Sequence, residues 1–171
     1  MDITTLKLFA HYNAKINIEM DEIISRLSMD QWEKEFKGFF NSVKSICNHI
    51  YICDFNWLIR FSKLRKFEFI ENKLFCVSIG FDETVINDTQ DYMGKRIELD
   101  IQIDKFINEV KQEDLKKQLK YVDSHGTENT KNFGGAILHM FNHETHHRGM
   151  ISIYLEEMGI ENDYSNLITL V

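Results

Sequence analysis

Four of the seven histidines of this chain stand within nine positions, in the stretch HMFNHETHHRGM that covers residues 139–150. A polar ring buried without a partner costs on the order of a few kcal/mol, so such crowding calls for a chemical reason. At about 100° per residue, His139 and His147 fall about 40° to either side of His143, and His146 about 60° away on the side of His139. Ala136, Met140, Met150, Ile151 and Tyr154 share this sector, so the spacing predicts imidazoles on the apolar face of a helix, turned into the fold. Arg148 falls on the opposite side of the same wheel.

Imidazoles at i and i+4 converge a few ångströms off a helix, where two nitrogens can hold one divalent cation. His143 and His147 are therefore candidate metal ligands. A third ligand must come from elsewhere: His49 lies at the edge of the apolar face of an earlier helix, and Cys53 and His139 compete with it. His139 and His146 read as residues surrounding the ligands. Three neutral imidazoles with open positions describe a catalytic site, because structural sites close all four positions with protein. By its letters HETHH also satisfies H-E-x-x-H, which makes Glu144 a candidate base for metal-assisted hydrolysis. The chain has no G-x-S-x-G elbow, no phosphate-cradling glycine loop and no G-x-G-x-x-G motif.

The elements that must carry these residues are helices. Leu6, Phe9, Asn13, Ile16, Met20, Ile23 and Leu27 recur at steps of three and four, predicting a helix over 4–28 with Asn13 as the polar member of its seam. A polar break follows, ending in Gly38, with Ser28 and Asp30 as candidate caps. A second helix is expected over 39–66, with Phe39, Val43, Ile46, Ile50, Cys53, Trp57 and Leu64 on its apolar face. Residues 67–82 have no clean period and read as a connection. A third helix is expected over 83–111, although Ile97, Leu99, Ile101 and Ile103 alternate as a strand would. Ser124-His125-Gly126 signals a turn, so 116–133 suits a short hairpin. The last helix starts between 132 and 135 and runs to Met158, with Gly159 as C-cap.

Composition narrows the field. A length of 171 residues suits one domain, 1–171, and the absence of proline suits long helices. A net charge of −7 without a basic stripe excludes nucleic-acid binding by backbone neutralisation. Three cysteines without C-x-x-C spacing suggest a reducing compartment. No signal peptide and no 18-residue apolar run is visible, so a cytoplasmic protein with no membrane partner is expected. Four amphipathic segments predict an all-α, antiparallel four-helix bundle, with a hairpin before its last helix.

The segments YNAKINIEM, ICNHIYICDFNWLIRF, YVDSHGTENTKNF and LHMFNHETHHRGMISIYLEEMGIENDYSN, in this order and spacing, resemble the DinB/YfiT-like superfamily of metalloenzymes. N-H-x-x-H-H-R-G is the most specific part. The resemblance implies a four-helix bundle, a homodimer, and a divalent metal held by one histidine of the second helix and two of the last. By motif position these are His49, His143 and His147. The metal expected is zinc or nickel, with iron and manganese as further candidates. The resemblance also implies, for some members, transferase chemistry that joins a low-molecular-weight thiol (bacillithiol, mycothiol or glutathione) to a small-molecule electrophile. Met150 stands where the family commonly has glutamine, so the surroundings of the metal differ here. The expected activity is a metal-dependent thiol S-transferase of detoxification type. Its alternatives are a metal-dependent hydrolase and a non-catalytic metal-binding stress-response protein.

Overall fold

The computed structural model describes residues 2–171. Helix α1 (Ile3–Ile24), the short α2 (Met29–Trp32), α3 (Val43–Phe61), α4 (Thr89–Glu109) and α5 (Phe133–Glu157) are joined by turns and by one antiparallel hairpin, β1 (Gln118–Val122) with β2 (Glu128–Asn132). The four long helices form a closed ring of neighbours: α1 packs on α4 and α5, and α3 packs on the same two. The fold is thus helical, with the hairpin lying before the last helix as the turn signal predicted. Gly126 takes φ +79 at the hairpin tip, a conformation that favours glycine.

Helices α1, α3 and α4 are shorter than their hydrophobic periodicity predicted, each boundary with a local cause, while α5 keeps the predicted bounds to within a residue. Helix α1 ends at Ile24 because the chain tightens, with Leu27 N–H donating to the carbonyl of Ile24, and then enters α2 through a Ser28–Gln31 capping box. Helix α3 begins at Val43, not at residue 39, because Ser42 and Ser45 form a second capping box. The preceding segment folds back, with Phe36 N–H donating to the carbonyl of Asn41, and Phe39 is left 92% exposed. Helix α4 begins at Thr89 because Asp88 caps it and the amides of Val85 and Ile86 are held by the Asn48 side chain. The strand-like alternation in α4 is resolved helically: Leu99 and Ile103 are buried, while Ile97 and Ile101 face outward.

A stack of phenylalanines closes the hairpin end of the bundle, with Phe61 and Phe106 parallel at 5.1 Å and Phe133 edge-on to Phe61 at 5.6 Å. The polar tie at that end is Asp114. It pairs with Arg65 just beyond α3 at 2.9 Å and with Lys117 at 2.7 Å, and accepts the amide of Lys111. Burial alone would raise its pKa, but the hydrogen bonds from Arg65 and Lys117 prevail and hold it at about 2. A carboxylate with a depressed folded pKa contributes stability above its unfolded value of 3.8 and loses it as pH falls through the folded one. Asp114→Ala is therefore expected to lower unfolding free energy at pH 7 by about 1–3 kcal/mol. In urea titrations the gap to the parent protein should close between pH 4 and pH 2.

Candidate metal centre

Helix α5 is buried on two faces, and each face does different work. Toward α3 it presents His143 and His147, and toward α1 it presents Glu144 and Arg148, both buried. Arg148 is only 2% exposed, which corrects its placement on the outer side of the wheel. A single wheel sector assumes one inner face, whereas this helix packs against both α3 and α1. His139 and His146, predicted to face inward, are exposed.

The polar face forms a network across all four long helices. Glu144 accepts from Asn13 Nδ2 at 2.8 Å through one carboxylate oxygen, and from Asn17 Nδ2 at 3.2 Å and Arg148 Nη1 at 2.9 Å through the other. Asn17 continues to Asp100, and Arg96 joins Asp100 at 2.6 Å to Asp54 at 2.7 Å. Burial would raise the pKa of Glu144, yet the charges of Arg96 and Arg148 hold it below the usual value. Asp54 goes the other way, pushed well up by burial and then by the charge of Glu144. Glu144 thus faces α1, with both carboxylate oxygens accepting hydrogen bonds from the network. Asn13 is a member of this network.

The other face gathers the histidines. His143 Nε2 stands 3.1 Å from His49 Nε2 and 3.0 Å from His147 Nε2, so one helix of the bundle meets another through ring nitrogens. The rings of His49 and His147 lie 4.7 Å apart. Phe40 covers them, at 4.4 Å from His49 and 5.3 Å from His147, and its carbonyl accepts the Tyr154 hydroxyl at 2.6 Å. Asn48 fixes the neighbouring turn of α3 by accepting the amides of Val85 and Ile86 and donating to the carbonyl of Glu83. Met150 is half-buried and packs against the core. His11 and His125 are exposed on the surface.

Cys53, one helical turn beyond His49, belongs to the same cluster. Its Sγ is 3.5 Å from His49 Nε2, and His49, Cys53 and His143 each offer a donor atom within 4.8 Å of the others. A metal could bind at this group. Two nitrogens bound tetrahedrally to one zinc sit about 3.3 Å apart, and a thiolate sits about 3.5 Å from such a nitrogen. The separations of 3.1 Å between His49 and His143 and 3.5 Å between His49 and Cys53 are therefore compatible with a shared cation, and His147, 3.0 Å from His143, adjoins that group.

Protonation favours the same conclusion. Burial, and then the proximity of the other imidazoles, lowers His143 to about 4 and His147 to about 3, and burial lowers His49 as well. All three are neutral at pH 7, the form that binds metals. Three neutral rings cannot satisfy each other fully, since the Nε2 atom of His143 faces two others and the Nδ1 atoms of His143 and His147 have no partner. Burial, and then the charge of Asp54, pushes the Cys53 thiol up to about 12, so without a cation it stays protonated.

Phe40 was missed because the run it belongs to looks like the start of a helix, and nothing local marks it as a cover. The DinB family model matches residues 1–167. This chain belongs to the DinB family. A search of curated proteins finds no match to it.

Histidines with folded pKa values below 6.5 contribute stability above pH 6.5 and lose it as pH falls through the folded values. Metal-free protein is therefore expected to lose stability steadily from pH 6.5 to about 3. Nitrogen NMR of the rings should find His143 and His147 still neutral at pH 5.5, and His147→Gln should flatten the stability profile.

Proposed function

We propose that this DinB-family protein is a metal-dependent thiol S-transferase, with His49, His143 and His147 holding a zinc or nickel ion. The observation that carries this reading is the meeting of three Nε2 atoms from α3 and α5 at 3.0 and 3.1 Å, on rings kept neutral by burial. A divalent cation at that position would lower the pKa of a thiol bound to it and so supply a thiolate near neutral pH.

The residues around the cluster suit this chemistry. Burial keeps the imidazole lone pairs free of protons, and Phe40 shields one side of the cluster from water. His139 is exposed, 6.1 Å from the His143 ring, and marks a way in from solvent. Hydrolysis with Glu144 as base finds no support in this geometry, because that carboxylate serves the buried network.

A second reading is favoured by one observation, the Cys53 Sγ atom 3.5 Å from His49 Nε2. If the thiolate joins three imidazoles, all four positions of a tetrahedral ion are closed by protein and the site is structural. The protein is then a non-catalytic metal-binding one.

Metal analysis of untagged protein is expected to find one zinc or nickel per chain, and His147→Ala should weaken affinity by more than about 100-fold. Loaded protein should accelerate conjugation of a small thiol to 1-chloro-2,4-dinitrobenzene, and His147→Ala should abolish the gain. A cobalt(II) form with a sulfur charge-transfer band that Cys53→Ser removes, together with no conjugation for any thiol tried, would sink the transferase reading and support the structural one.

A further inference from the structure

Beyond the histidines, a partly buried stripe of α3 leads to a second site. His49, Cys53, Trp57 and Arg60 follow one another at steps of four, four and three, which places them along one stripe of the helix. From His49 to Arg60 the stripe runs about 16 Å along the axis. His139 stands 5.4 Å from Trp57 and 6.1 Å from His143, so it links the stripe to the histidine cluster.

Arg60 ends the stripe in an unusual setting. Its guanidinium lies 4.9 Å from the ring of Trp57, 5.1 Å from Phe81 and 5.1 Å from Tyr121. Among the described residues it makes no ion pair. Aromatic faces attract the cation, but they take none of the five in-plane N–H donors. Those donors border a cleft of about 500 Å³ that Lys63, Lys120 and Asp123 also line. Asp123 is committed to its own turn, accepting from the amides of His125 and Thr127 and from the side chain of Asn129. Three cations therefore face one engaged carboxylate, on a protein whose net charge is −7. Tyr121 also lines a second cleft, of about 380 Å³, together with Trp57, Ala136 and His139.

We propose that the Arg60–Lys63–Lys120 cleft binds the anionic end of a small organic molecule, a carboxylate or a phosphate, whose apolar body lies over Tyr121 and Trp57 toward His139. A planar guanidinium with free parallel donors suits bidentate recognition of such an anion. Lys63 and Lys120, both exposed, add charge from either side. The aromatic collar holds Arg60 in place before a ligand arrives, which lowers the entropic cost of binding. In joining this cleft to the histidines, the inference rests on the metal-centre reading and defines its substrate: an anionic molecule with a flat or apolar body.

The test is a titration of the protein as purified with 3-phenylpropionate, phenyl phosphate and neutral 3-phenylpropanamide, followed by tryptophan fluorescence in a Trp32→Phe background that leaves Trp57 as the reporter. Both anions should saturate, and the amide should bind at least about tenfold more weakly. The tighter anion identifies the headgroup. Arg60→Gln should weaken anion binding by about tenfold or more, and Lys120→Gln, on the exposed hairpin, by about threefold with an unchanged fold. An amide that binds as well as the acid, or affinities untouched by both substitutions, overturns the proposal. So does loss of anion binding in His147→Ala, since the anion would then have been bound at the metal. Anion binding that persists in His147→Ala supports the cleft even if metal-dependent conjugation is never found, so the two readings fail separately.

Discussion

The Glu144–Arg148 pair and the asparagines that grip it are the constraint on which the rest of the structure depends. Two guanidinium groups, Arg96 and Arg148, are almost fully withdrawn from water, and leaving either unpaired would cost several kcal/mol. Asn13 and Asn17 from α1, Asp54 from α3, Asp100 from α4 and Glu144 from α5 supply the acceptors, so the network fixes the rotation of all four helices about their axes. Once α5 is locked with Glu144 toward α1, His143 and His147 can only face α3. The histidine cluster is thus set by a polar lattice on another face of the same helix.

This dependence explains what could be read from the sequence and what could not. The i and i+4 spacing of His143 and His147, and the helical seam of α1, are local patterns, and both bring their residues to one face as spacing requires. The hairpin was legible because Gly126 must supply a left-handed φ. Arg148 was not legible, since periodicity alone cannot reveal a helix with two buried faces, one apolar and one charged. The charge of Arg148 is balanced by Glu144 one turn back, but the asparagine oxygens that complete its hydrogen bonds lie 131 and 135 residues away in the chain. The starts of α3 and α4 escaped for a related reason: serine and aspartate caps overrode apolar patterns that continued past them.

Cys53 and Phe40 show two further limits. Cys53 stood out as a ligand rival because it follows His49 by one turn, a local fact. Its distance to His143 depends on how α3 and α5 cross. Phe40 reaches the cluster only because Tyr154 holds its carbonyl and the segment before Ser42 reverses direction. Arg60 gave no signal at all, since one arginine near a helix C-terminus is commonplace. Its significance comes from the hairpin, which brings Tyr121 and Lys120 across from another part of the chain.

Charge bookkeeping ties the two sites together. In the buried network, Arg96 and Arg148 lie against the carboxyl groups of Glu144, Asp100 and Asp54, of which burial pushes Asp54 well up while the two arginines hold Glu144 down. The histidines are neutral, held so by burial. A divalent cation bound by three imidazoles would therefore keep its full charge in a partly desolvated setting, where attraction for an anionic ligand is strong. If Cys53 also coordinated, its thiolate would cancel half of that charge and fill the position a ligand needs. Were a metal bound here, the choice between a catalytic and a structural centre would thus turn on one sulfur atom. Arg60, without an ion pair among the described residues, stands at the far end of the stripe that Cys53 shares, where under the proposed reading the incoming ligand would bring the negative charge.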